Sequence, residues 1–155
     1  MANITALTCN NTPPTPSDGG PTVHFGQITL AAAQIADVVR LCVIPAGAKV
    51  YDVALINAAL GASVTGSVGY APVDGVNPAA SAAAFIAAGT ALTAAAKTRS
   101  TNAPVKFDYD VYLTLTIAGA AATGLVDGLS LTPGAQAGRP LYAVRTERAT
   151  PWRPA

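Results

Sequence analysis

Apolar and polar residues alternate most strictly between Val105 and Ile117. Val105, Phe107, Tyr109, Val111, Leu113, Leu115 and Ile117 are separated by Lys106, Asp108, Asp110, Tyr112, Thr114 and Thr116. A period of two over this length predicts a β-strand with one face on a core and the other polar. At ~3.3 Å per residue a straight strand of this length would reach roughly 40 Å, so a bend or a change of sheet is expected along it.

A second signal is the pair of β-branched runs Val38–Ile44 and Lys49–Ile56 around Pro45-Ala46-Gly47. Pro at the second and Gly at the fourth position of a turn predict an antiparallel hairpin here. Further strands are predicted at Val23–Leu30, Ser63–Ala71, Leu125–Leu131 and Leu141–Arg145. In the first of these the apolar phase changes across Gly26, from Val23 and Phe25 to Ile28 and Leu30, which predicts a bulge. Six or so strands at this spacing point to an all-β domain, an antiparallel β-sandwich of jelly-roll-like form.

One stretch breaks the pattern. Ala79-Ala80-Ser81-Ala82-Ala83-Ala84-Phe85-Ile86-Ala87-Ala88 follows Asn77-Pro78 and has high helix propensity, so a short Ala-rich helix ending near Gly89 is expected. Both ends of the chain differ from the middle. Residues 1–22 are rich in Asn, Thr and Pro and predict an extended N-terminal arm, ordered where a partner supports it. Residues 132–155 form a Pro- and Arg-containing C-terminal tail, leaving 23–131 as the sandwich domain.

Composition narrows the function classes. Charged residues are 11% of the chain, against roughly a quarter in an ordinary globular protein. The apolar excess is mostly Ala, so each buried position contributes modest area, and packing against neighbours would add stability. The uncharged runs 53–73 and 76–96 approach the length of a membrane span, but their Gly, Pro, Asn, Ser and Thr lack the Leu/Ile/Phe/Val density that drives insertion, so no membrane association is expected. Met1-Ala2-Asn3-Ile4-Thr5 shows no secretory pattern, so synthesis and assembly in the cytoplasm are expected. The tail has four Arg and one Glu, hence +3; five Lys/Arg and seven Asp leave the rest at −2. Tyr142, Arg145, Arg148, Trp152 and Arg153 are therefore the candidate partner-contact residues, with a protein partner ranked above nucleic acid.

Residues for catalysis are scarce. His24 is the single histidine, and no CxxC, HxxxH, GxSxG or phosphate-binding loop is present. Asp108 and Asp110 could pair as carboxylates, but beside Lys106 on a polar strand face they read as solvated or ion-paired groups. Asp74-Gly75 and Asp127-Gly128 read as turns. Cys42 sits in an apolar run and reads as a core thiol, whereas Cys9 can be either buried or free. No catalytic, metal or cofactor site is expected.

Four stretches carry a resemblance. They are Asp37–Val50; Val68-Gly69-Tyr70-Ala71-Pro72-Val73-Asp74-Gly75; Phe85-Ile86-Ala87-Ala88-Gly89-Thr90; and Phe107–Thr116 with Ala122-Thr123-Gly124. In this order the chain resembles the capsid decoration, or cement, proteins of tailed bacteriophages over about residues 23–131. The resemblance implies a β-sandwich or jelly-roll-like fold and homo-oligomers, with trimers favoured, seated on the capsid surface. It implies a non-enzymatic virion structural protein that binds the outer face of a phage capsid and cements neighbouring major capsid subunits. The tail from Thr132 departs from that pattern. Alternatives are a tail, neck or head-fibre component and a jelly-roll carbohydrate-binding module, with an enzyme ranked last. On the leading reading the arm and tail act as straps, and their removal is expected to leave the body folded.

Overall fold

The computed structural model describes residues 1–10 and 20–132, and these are built from strands without a helix. In chain order they are β1 (Asn3–Thr5), β2 (Thr22–Ala33), β3 (Val38–Ile44), β4 (Lys49–Val50), β5 (Asp52–Asn57), β6 (Thr65–Pro72), β7 (Ser81–Ala91), β8 (Ala96–Arg99), β9 (Val105–Lys106), β10 (Val111–Ala118) and β11 (Ala122–Thr132). Two sheets carry the fold, β1-β3-β10-β6-β7 and β2-β11-β5-β8, with β4 and β9 as a separate two-stranded piece.

Eight strands remain when β1, β4 and β9 are set aside, and they pair in nested order. The first joins the last, β2 with β11; then come β3 with β10, β5 with β8, and β6 with β7, all antiparallel. A long hairpin wound around itself has this pairing, which is the jelly roll. The expected all-β sandwich is thus present.

The core lies between the sheets. Val39, Leu41, Ile44, Val68, Leu113, Leu115 and Ile117 meet Leu30, Val53, Leu55 and Val126, all buried. Each such side chain stabilises the fold by about 1.5–3 kcal/mol. Among the described residues aromatic rings pack together in one place, where Phe107 meets Tyr70 edge-on at 4.9 Å between ring centres and Phe85 closes the group at 6.4 Å from Phe107.

The long alternating run does change sheet. Val105–Lys106 pairs with β4, the backbone then leaves the strand conformation through Phe107–Asp110, and Val111–Ala118 enters the larger sheet. Tyr109 falls in this break and is 51% exposed, off the core face its phase predicts.

Three local expectations are corrected. First, Val38–Ile44 and Lys49–Ile56 do not form a hairpin. The turn exists one residue later, with Ala48 N–H donating to the Pro45 carbonyl at 3.2 Å and Gly47 at φ +83°, but β3 pairs with β10 while β5 pairs with β11 and β8. The turn carries the chain from one sheet to the other, and local sequence holds no record of those distant partners. Second, the Ala-rich stretch is strand β7, not a helix. A helix of about ten residues is marginal on its own propensity, and Phe85 and Ile86 alone offer it no apolar stripe. The edge of β6 offers ladder hydrogen bonds and core space for both side chains, and tertiary pairing wins. Its register with β6 slips twice, as befits a bulged edge strand. Third, there is no bulge at Gly26. The β2–β11 register runs unbroken from Thr22 to Leu30 and shifts only between Leu30 and Ala33, around Ala32, whose φ is +55°.

The first ten residues lie along the larger sheet. β1 runs parallel to β3, Ala6 N–H donates to the Arg40 carbonyl at 2.9 Å, and Val43 N–H donates to the Cys9 carbonyl at 3.1 Å. Ala6 and Cys9 are buried. Asp37 holds the chain start, accepting Ala2 N–H at 2.6 Å on one carboxylate oxygen and Gln34 N–H at 2.9 Å on the other.

Candidate functional site

The change of apolar phase across Gly26 marks a change of face. In β2, Thr22, His24 and Gly26 point inward, while Val23 and Phe25 point out at 42% and 48% exposure. β11 does the same across the pair. Ser130 and Thr132 are buried, and Leu129 and Leu131, opposite Phe25 and Val23, lie half-buried on the outside. Inside and outside have exchanged their usual polarity over this end of the sheet.

Leu125 and Ile56 extend the outer apolar strip at 43% and 38% exposure. Its rim is polar. Gln27 borders it on β2, and the exposed Arg99 guanidinium pairs with the Asp52 carboxylate at the opposite side. The outer face of the other sheet has a different character, with Thr114, Thr116, Ser67 and the Arg40 guanidinium 4.6 Å over the Tyr112 ring. Contiguous exposed apolar side chains on one sheet face are what a covering surface requires.

Asp127 stands in the middle of that strip, opposite Gln27 on β2 and Ile56 on β5. Its Oδ1 is buried and has no hydrogen-bond partner among the described residues. Burial raises its pKa above the ordinary aspartate value. Asp127-Gly128 is therefore mid-strand and not a turn; Gly128 sits opposite Gly26 because a Cβ at either position would strike Leu41.

The other titratable groups have structural occupations. Asp108 is exposed and 3.6 Å from Lys106 Nζ, while Asp110 Oδ1 accepts Ala46 N–H at 2.7 Å and holds the β3–β4 turn. Asp74 Oδ1 accepts the N–H groups of Val76 and Asn77, both at 2.8 Å, which lower its pKa. His24 is buried, and desolvation lowers its pKa. Cys9 and Cys42 are both buried free thiols; burial raises Cys9 and pushes Cys42 up to about 12. Among the described residues no three His, Cys, Asp or Glu side chains converge as metal ligands. Tyr142, Arg145, Arg148, Trp152 and Arg153 lie outside the described residues, as does the predicted strand at Leu141–Arg145.

The sequence pattern identifies the strands of the outer strip but explains the phase change at Gly26 by a bulge, which does not place Val23 and Phe25 on the outside. Period alone does not say which face is inside. Their mismatch in phase with Ile28 and Leu30 was the available signal.

Fold and faces define an eight-stranded jelly roll with one apolar outer face. No protein-family model matches the chain, and no curated protein sequence matches it significantly. Solved structures do. The chain is similar to one from the capsid of Ralstonia phage GP4, with TM-score 0.67, 21% identity, 87% of this chain and 99% of that chain covered. A chain of the cyanophage Pam1 capsid asymmetric unit matches with TM-score 0.57 and 20% identity, over 80% of this chain and 92% of that one. A chain of the acid-stable capsid of Helicobacter pylori bacteriophage KHP30 matches with TM-score 0.54 and 13% identity over the same shares. These chains share the fold. Each is shorter than this one and consists almost wholly of the shared domain.

Proposed function

We propose that this chain is a non-enzymatic structural protein of a phage virion that binds the outer surface of the capsid as a homo-oligomer and cements neighbouring major capsid subunits. The observation that carries the reading is the coverage of the structural matches. Nearly the whole of a small chain is aligned in each of three phage capsid structures, so the likeness is to a complete small component and not to one domain of a large enzyme. The physical character of the molecule supports it. Low charge favours close contact, and many weak contacts repeated over a lattice add up.

Purified chain added to capsids stripped of it tests the reading. Saturable binding with a stoichiometry set by the lattice is expected. Binding only to tails or necks, or none to shells, would remove the cementing role.

A further inference from the structure

Cys9 and Cys42 stand 33 residues apart and are the two cysteines of the chain. Both are buried, at 0% and 1% exposure, and both are thiols in this structure. We propose that they form a disulfide site, at which oxidation joins Cys9 Sγ to Cys42 Sγ and locks the first ten residues onto β3.

Backbone geometry sets the two residues side by side. Val43 N–H donates to the Cys9 carbonyl at 3.1 Å, so Cys9 lies abreast of the peptide that joins Cys42 to Val43. With standard bond lengths this hydrogen bond puts the two α-carbons roughly 4–6 Å apart, the span that a disulfide bridges. Their side chains share the interior. Cys42 lies opposite Leu113 in the ladder, and so on the same inner face, while Cys9 is wholly buried beside the same strand. Electrostatics agrees with this closeness, since Cys42 is pushed up to about 12 by burial first and by Cys9 second.

The segment around Cys9 is tied to both sheets. Cys9 N–H donates to the Ala6 carbonyl at 3.0 Å, Ala6 N–H donates to the Arg40 carbonyl at 2.9 Å, and Thr8 Oγ1 accepts Gln27 N–H at 3.0 Å. It therefore runs from β3 of one sheet to β2 of the other, with Cys9 between these anchors. β1 is only three residues long and covers the edge of β3, an edge of the kind that β-proteins must protect. A covalent bond from Cys9 to β3 would keep that cover from fraying.

The reaction needs an oxidant, here a small disulfide such as oxidised glutathione. Local opening of the short N-terminal segment exposes Cys9, whose thiolate attacks one sulfur of the oxidant and releases one glutathione. The Cys42 thiolate then attacks Cys9 Sγ and displaces the second. Two protein thiols become one disulfide, and their two protons and two electrons end on two glutathione thiols. In a compartment kept reduced the pair stays as thiols, and transfer to an oxidising one closes the bond. The proposal concerns the chain by itself and does not depend on the capsid reading.

Refolding tests it. Full chain, reduced and unfolded in urea, is diluted into native buffer containing oxidised and reduced glutathione, and the products are quenched with acid and digested for mass spectrometry. Nearly all of the chain is expected to carry a Cys9–Cys42 link within one molecule, with the loss of two hydrogens. Closing a loop of this length should raise the thermal midpoint by about 10 °C over the same chain kept in dithiothreitol. Folded chain that keeps both thiols, or that carries glutathione adducts or links between chains in place of the internal bond, overturns the proposal. So does a bond that forms without raising the midpoint, because it would not fit the native segment. C9A and C42A should each lose the oxidant-dependent rise, whatever their own stability, and a rise that survives in either overturns the assignment.

Discussion

The carbonyl oxygen of Leu41 sits where a side chain of Gly26 would be, 1.7 Å from the position of a Cβ there. Leu41 is the extra residue of a bulge in β3, because Leu113 pairs with Cys42 and Thr114 with Arg40. The bulge pushes Leu41 against the opposite sheet, into the dent left by Gly26 and Gly128. A Cβ on Gly128 would lie 2.4 Å from Leu41 Cδ1, a side-chain atom that can move.

This difference orders a mutant series. Gly26→Ala is expected to destabilise by about 3 kcal/mol or more, because backbone must shift, and Gly128→Ala by about 1–2 kcal/mol. Leu41→Ala costs about 2–5 kcal/mol alone. In the Leu41→Ala background Gly128→Ala should become nearly neutral while Gly26→Ala stays costly. Urea midpoints measure all five proteins, and equal rescue of both glycine variants would contradict the geometry.

The first nine residues are expected to matter for stability. Removing them takes away β1, the buried Ala6 and Cys9, and the Ala2 N–H on Asp37. The loss should be on the order of 3 kcal/mol. Thermal unfolding of the truncated chain checks this; an unchanged midpoint would mean the segment is a strap independent of the body.

Acid should weaken the fold in two steps. The folded pKa of His24 is below its ordinary 6.5, through burial. The unfolded chain therefore takes up that proton first, and stability falls as pH drops through 6.5 until the folded pKa is passed. Asp37, lowered chiefly by the N–H groups of Ala2 and Gln34, contributes stability above its ordinary 3.8 that is lost below it. Denaturant midpoints across pH should show both declines, and His24→Asn should erase only the first. Asp127, raised by burial, contributes in the opposite direction as pH falls, so the decisive comparison is with the variant: a His24→Asn profile that declines between pH 7 and 5 as much as wild type would contradict the burial of His24.

Thiol reactivity reports the same packing. Cys9 and Cys42 should be inert to a thiol reagent at pH 8 in the native state and react together on unfolding. Rapid labelling of Cys9 alone would show that the N-terminal segment is not held as described.

Strand existence was legible because a period of two leaves a clear mark, as at Val111–Ala118. Sheet membership was not. Val38–Ile44 and Lys49–Ile56 look like hairpin partners locally, and only β10 and β11, some 70 residues away, decide otherwise. The Ala run was misread because propensity is a weak prior beside the open edge of β6. The apolar outer face was visible as a phase change at Gly26, but its direction depends on Leu41, which claims the inner side at that point. The tail stood out by charge.

Electron cryo-microscopy of the virion encoded together with this chain tests the central claim most directly. The account predicts the jelly-roll density repeated at lattice positions on the outside of the shell, bridging neighbouring major capsid subunits. Shells bare of this density, or density confined to the tail or neck, would contradict it.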